Sequence, residues 1–219
     1  MDAKAQSPIA AVGRAGVRAI DLVLLRYYGI FTFSDDPKCI LRLSRGACHE
    51  AFVLKDGTHI AAGDPVLEVH LWNEQMPPLP AEGGTLMWGL AVTRRLHRSL
   101  RELAEFLARE RELQSFCVLH GEAGFFQVDE FPQLRAFVEP LGFDFRAGQA
   151  PGWRIWKPEF WENLYSWWLM WTFSPGSLRG KHFSRMARCD FWISRATLIE
   201  RHARPPEPAR LQAASARPA

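Results

Sequence analysis

The sequence lacks a strong charge of either sign. Its 27 lysines and arginines stand against 24 aspartates and glutamates, a formal net charge of +3. A nucleic-acid binder concentrates far more positive charge, so no nucleic acid is expected as a partner. A disulfide framework is missing too. Cys39, Cys48, Cys117 and Cys189 are scattered, with no Cys-x-x-Cys pair, and read as reduced, mostly buried thiols. Cys48-His49 would make half of a zinc site, but no second pair stands at ligand spacing, so no metal is expected. No uncharged apolar run approaches the roughly 20 residues of a spanning helix. The first residues carry no secretory pattern, so the cytoplasm is the expected compartment, with a membrane surface left open. Neither G-x-G-x-x-G nor G-x-x-x-x-G-K-[ST] occurs, and no nucleotide or other cofactor is expected. H-E-x-x-H and G-x-S-x-G are also absent, so no familiar catalytic motif names a reaction.

What is present suits a globular chain: 219 residues, 47% of them apolar and 23% charged. Residues 9–28 read as a helix. Its apolar stripe, Val12, Ile20, Val23, Leu24 and Tyr27, either packs on the rest of the chain or lies in a membrane interface, with Arg14 and Arg18 outside the stripe. Strands are expected at 39–43, 51–54, 58–60 and 66–72, with Asp56-Gly57 turning the second into the third. Thr85 is placed to cap a long helix over about 86–113, whose stripe is Leu86, Leu90, Leu96, Leu100, Leu103 and Leu107. Further strands are expected at 116–119, 142–145 and 191–194, and helices at 129–138, 158–173 and 196–202. Strands first and then a mixture argue an α+β single domain over 9–202, with a mixed or antiparallel sheet, packed helices and a long central helix. It lies between a flexible N-terminus, 1–8, and a disordered tail rich in Pro, Ala and Arg, 203–219.

The most informative stretch runs from Gly63 to Glu74. Side chains alternate along a strand, so Leu67, Val69 and Leu71 share the core face. Glu68, His70 and Trp72 then stand in a row on the other face, with alternate positions about 7 Å apart. Such a row is either a wet sheet face or a polar site. In the second case His70 is the candidate general base and Glu68 orients it. Asn73, Trp72, Asp64 and Glu74 are the candidate ligand contacts. Glu82-Gly83-Gly84-Thr85, at the start of the long helix, is a flexible connector or an anion cradle. His120-Gly121-Glu122 stands at the end of the strand expected at 116–119, where either a turn or a functional group fits.

Six of the nine tryptophans fall between Trp153 and Trp171. The helix from Pro158 has a polar face of Glu159, Glu162, Asn163 and Ser166, then becomes apolar all round. A helix apolar all round is buried or in lipid. Arg179, Lys181, Arg185 and Arg188 follow closely. Trp167, Trp168 and Trp171 with Arg179, Lys181 and Arg185 are therefore candidate contacts to an anionic membrane surface. The alternatives are an aromatic core helix with a solvated basic loop, or a contact with a partner protein.

The stretch Leu54-Lys55-Asp56-Gly57 and the core G-D-x-V-x-E-x-H-x-x-N from Gly63 to Asn73 resemble the YkoP-like family of bacterial proteins. Ser99 to Ala104, Leu141-Gly142-Phe143 and Trp192 to Arg195 sit where further matches belong, so the resemblance covers roughly residues 15 to 202. Members of that family accompany polysaccharide deacetylase domains and glycosyltransferases. The resemblance therefore implies a role in bacterial envelope glycan or lipid-linked sugar metabolism, with a glycan or lipid-linked sugar as ligand and a protein partner in envelope biosynthesis. The chain would be an accessory or ligand-binding domain, an enzyme of the same pathway, or a structural interaction domain.

Overall fold

A computed structural model describes residues 8–80, 84–148, 155–156 and 158–204. The N-terminus up to Ser7, the tail from Pro205, Glu82-Gly83 of the glycine loop, and Trp153 lie outside those residues.

The expected α+β arrangement is present. The elements are α1 (Pro8–Tyr27), β1 (Leu41–Ala47), β2 (Phe52–Val53), β3 (His59–Ile60), β4 (Pro65–Leu71), α2 (Leu86–Arg109), β5 (Val118–Gln127), α3 (Phe131–Val138), β6 (Asp144–Ala147), α4 (Pro158–Phe173), β7 (Met186–Ser194) and α5 (Arg195–His202). Five strands form one mixed sheet in the order β1-β4-β5-β7-β6, and β2 and β3 form a separate hairpin. β4 and β5 are the parallel pair. α2 is their crossover, and parallel neighbours need such a long connection. The Thr85 hydroxyl accepts the Trp88 amide at 3.2 Å and starts α2 where the sequence places a cap.

One sheet face builds the core. Leu41 and Leu43 of β1, Leu67 of β4, Leu119 of β5 and Ile193 of β7 pack with Leu100, Leu103 and Leu107 of α2 and Leu198 of α5. α3 extends the same face over Phe145, Ala187 and Cys189. Truncating one of these buried leucines to alanine removes contacts worth about 2–5 kcal/mol.

The second face carries two roofs. The β2–β3 hairpin covers Val66, Val118 and Trp192 with Leu54, Ile60 and Phe52. α4 covers the sheet beyond it: the Asn163 side-chain amide donates to the Met186 carbonyl at 3.1 Å. Gly124 makes that approach possible, since a Cβ there would stand 3.1–3.2 Å from Arg188 Nη1, Asn163 Oδ1 and Ser166 Oγ. α1 packs on the far side of α4. The Tyr165 hydroxyl donates to Asp21 at 2.5 Å, the Trp171 ring touches Gly13, and Arg18 lies over the Phe173 ring. α4 is thus sandwiched between sheet and α1, which is why its second half is apolar all round.

Several sequence expectations change, among them strand bounds: β1 runs to Ala47, β6 to Ala147, and β7 begins at Met186. β5 continues to Gln127 rather than ending at Leu119, because its Gly121–Ala123 segment is held in register by β7. α2 ends at Arg109, and its first apolar positions, Leu86 and Leu90, are exposed while burial begins at Ser99. The polar side of α4 faces the sheet, with Asn163 fully buried. The stripe of α1 does not pack inward: Val12, Ile20, Val23 and Tyr27 are exposed, and Asp21 on the other side of the helix is buried.

Candidate functional site

Between hairpin and α4 the second face keeps a polar strip. Glu68 of β4 is opposite His120 of the parallel strand β5. His120 is opposite Trp192, and Glu122 opposite Asp190, on antiparallel β7. Paired residues point to one side of a sheet, so three strands bring Glu68, His120, Glu122, Asp190 and Trp192 together. His120 Nδ1 bonds Glu68 Oε2 at 2.7 Å, and His120 Nε2 bonds Asp190 Oδ1 at 2.9 Å. The imidazole stacks on the Trp192 indole, with centroids 4.0 Å apart and planes 21° apart. Both ring nitrogens face carboxylates, so both carry protons. Burial pushes the imidazole pKa down, but the hydrogen bonds to Asp190 and Glu68 outweigh it and raise the pKa to about 9. His120 is therefore an imidazolium at neutral pH.

Arg188 of β7 extends the strip. It pairs with Glu122 and, at 3.3 Å, with Glu162 of α4. Four carboxylates, Glu68, Asp190, Glu122 and Glu162, thus surround two cations, His120 and Arg188. Gly46 of β1 supports the array from the side: a Cβ there would lie 2.9 Å from Glu68 Cγ and Oε1, so only glycine leaves room for this Glu68 conformer.

The sequence-derived candidates fall as follows. Glu68, His70 and Trp72 do leave the core face, as the alternation requires. Glu68, however, does not orient His70, because its bond goes to His120. His70 Nε2 instead meets Ser44 Oγ at 2.8 Å, and Ser44 is buried. Burial lowers the His70 pKa below its ordinary value, so this imidazole is neutral at neutral pH. Trp72 lies under the Arg42 guanidinium, 4.6 Å from the ring centroid, and Arg42 also binds Glu74 at 2.6 Å. Those two candidates form a separate cation–aromatic–carboxylate group. Asn73 opens a 3-10 turn, Asn73–Gln75, just after β4. Asp64 closes the hairpin, accepting the Ala61 amide at 2.7 Å. Among the described residues no group of three His, Cys, Asp or Glu side chains has the arrangement of a metal site.

The expected membrane contacts are dispersed as well. Trp167 packs edge-on against Phe183 at 5.8 Å, and Trp171 is against α1. Lys181 pairs with Glu130 at 2.7 Å. Trp168, Arg179 and Arg185 are exposed. Among the described residues no helix is long and apolar enough to cross a membrane.

Asp190 and the bridging role of His120 were not read from the sequence. The available signal was His120 itself, a histidine followed by Gly-Glu after an apolar run. Its partners are 52 and 70 positions away, and no local pattern reports such pairing.

Fold and strip together define a single-domain α+β protein whose second sheet face is roofed at both ends and polar between. The family model of the YkoP domain matches residues 45–202 of the 219, and the chain belongs to that family. The match begins after α1, where the resemblance had reached back to about residue 15. It includes Gly46, Glu68, His120, Glu122, Arg188, Asp190 and Trp192. No curated protein and no solved structure matches the chain.

Proposed function

We propose that the chain is a ligand-binding module for the hydroxyl-rich part of a glycan or lipid-linked sugar, acting beside envelope glycan metabolism at the inner membrane surface. The observation that carries the reading is the carboxylate pair held on His120. Ionised carboxylates only accept hydrogen bonds. Glu68 and Asp190 each keep a second oxygen outside the bond to His120, and Glu122 and Glu162 share one arginine. The strip thus offers surplus acceptors, and a fitting ligand brings donors. Sugar hydroxyls are such donors, and an anionic group would be repelled.

The enzyme reading has weaker support. His120 is protonated at neutral pH and so is no general base. His70 is neutral, but its Nε2 is engaged by the buried Ser44, and the carboxylate expected to orient it is committed elsewhere.

The reading is tested by titrating the purified protein with a panel of neutral, amino and acidic oligosaccharides, following the Trp indole and His120 imidazole resonances by NMR. Saturable shifts with neutral or amino sugars, weakened about tenfold or more by Glu68→Gln or Asp190→Asn, support it. Binding that ignores both substitutions, or is confined to acidic sugars, refutes it.

A further inference from the structure

Resting on the membrane-side part of that reading, we infer that α1 is the docking element, and that its outer face lies in the interface of an anionic bilayer. At about 100° per residue, Val12, Ile20, Val23 and Tyr27 fall within a sector of about 80°. Val12, Val23 and Tyr27 are 73%, 66% and 80% exposed, and Ile20 48%. Asp21, on the opposite side, is buried against Tyr165. The helix therefore has two jobs on two faces. One holds α4, and the other presents bulky apolar side chains to the outside with nothing of this chain over them among the described residues.

Charge selects the occupant. Asp21 is the only acidic residue in the α1 sequence, and it faces inward. Arg26, about 40° from the apolar sector, is exposed, whereas Arg18 lies on the side turned to α4, over the Phe173 ring. Tyr28 and, on the adjoining α4, Trp161 and Trp168 are also exposed, and tyrosine and tryptophan favour the membrane–water boundary. An apolar helix face edged by an arginine and aromatics, without an outward carboxylate, matches an anionic lipid surface. A second copy fits less well. An isologous contact through this face sets Arg26 of one copy near Arg26 of the other, with no outward carboxylate on α1 to answer them. The face also lies outside the segment matched by the family model.

The experiment is co-sedimentation of the full chain with vesicles of phosphatidylcholine alone and of phosphatidylcholine with phosphatidylglycerol, at low and high salt. Wild type is compared with Ile20→Asp/Val23→Asp and with Arg26→Glu. All three positions are exposed, so thermal unfolding is expected to be near wild type, and oligomeric state is followed by light scattering. The expected result is binding that needs phosphatidylglycerol, weakens with salt, and falls about tenfold or more in both variants. Binding that persists in both variants overturns the assignment to α1 while leaving the membrane-side reading standing. Absence of wild-type binding overturns both, as does a dimer dissolved by Ile20→Asp/Val23→Asp in place of vesicle binding. None of these results touches the sugar titration, which reads the strip.

Discussion

Glu68 occupies the space that a side chain on Gly46 would fill: its Cγ and Oε1 both lie 2.9 Å from where a Cβ on that glycine would stand. Since Glu68 holds His120 by its other oxygen, the absence of one methyl group on β1 sets the geometry of a hydrogen bond on β5. Gly46→Ala should displace Glu68, lower the His120 pKa from about 9 and cost on the order of 1–2 kcal/mol through crowding. An NMR titration of the His120 ring against chemical denaturation measures both. An unchanged His120 pKa would refute this coupling.

The clamp on His120 also makes stability depend on pH. The folded pKa is about 9 and the ordinary value 6.5, so folding favours the protonated form. The contribution is fully present below about pH 6.5 and is lost as pH rises through 9. Its size is about 3 kcal/mol. Urea unfolding between pH 6 and 10 should show that decline in wild type and lose most of it in His120→Gln. Leaving the half-exposed Glu68 and Asp190 beside each other without the cation should destabilise His120→Gln at pH 6, by less than a fully buried unpaired charge would because solvent screens both. Adding Glu68→Gln should restore part of this.

Asp56 ties the hairpin to α5. Its carboxylate accepts the Ser194 hydroxyl at 2.5 Å, the Thr197 hydroxyl at 2.6 Å and the Thr58 amide at 2.9 Å. Burial opposes ionisation, but the bonds from Ser194 and Thr197 dominate and hold the pKa well below 3.8. Its stabilisation is therefore present above pH 4 and lost as pH falls further. Solvent screens this exposed group, so Asp56→Asn should cost about 1 kcal/mol at neutral pH. In acid titration the stability gap between the two proteins should narrow progressively below pH 4 and close only once the pH has fallen through the depressed folded pKa.

Tyr165 and Asp21 hold α1 to α4. Burial pushes the Asp21 pKa up, and the Tyr165 hydroxyl pulls it back. Tyr165→Phe removes the donor from a buried carboxylate, a loss of about 2 kcal/mol. Because α4 is the main element that α1 packs on among the described residues, the loss should appear as faster amide exchange in α1, with little change in β4, β5 and β7. Uniformly faster exchange across the sheet would show that α1 unfolds with the rest.

The sequence was legible where structure is local. The Thr85 cap, the Asp56-Gly57 turn and the alternation of Leu67, Val69 and Leu71 each follow from neighbours within a few positions. Legibility ended where partners are distant. Gly121 and Ala123 have little strand propensity, and pairing with β7, with β4 at Gly121, makes that segment a strand. Half of the site was visible as Glu68, but its match with His120 rather than His70 depends on parallel register, which nothing local specifies. For α1 the periodicity correctly gave an apolar stripe. The buried face was instead the one bearing Asp21, because Tyr165 offers that carboxylate a donor and Gly13 admits Trp171.

The bonds of His120 close loops of 52 and 70 residues. Contacts of that separation form late, since chain entropy is spent before they reward it. A chain arrested with only its hairpin and helices made would hold the same residues without the polar strip. A ligand bound as proposed would select finished molecules and, by mass action, protect them from unfolding.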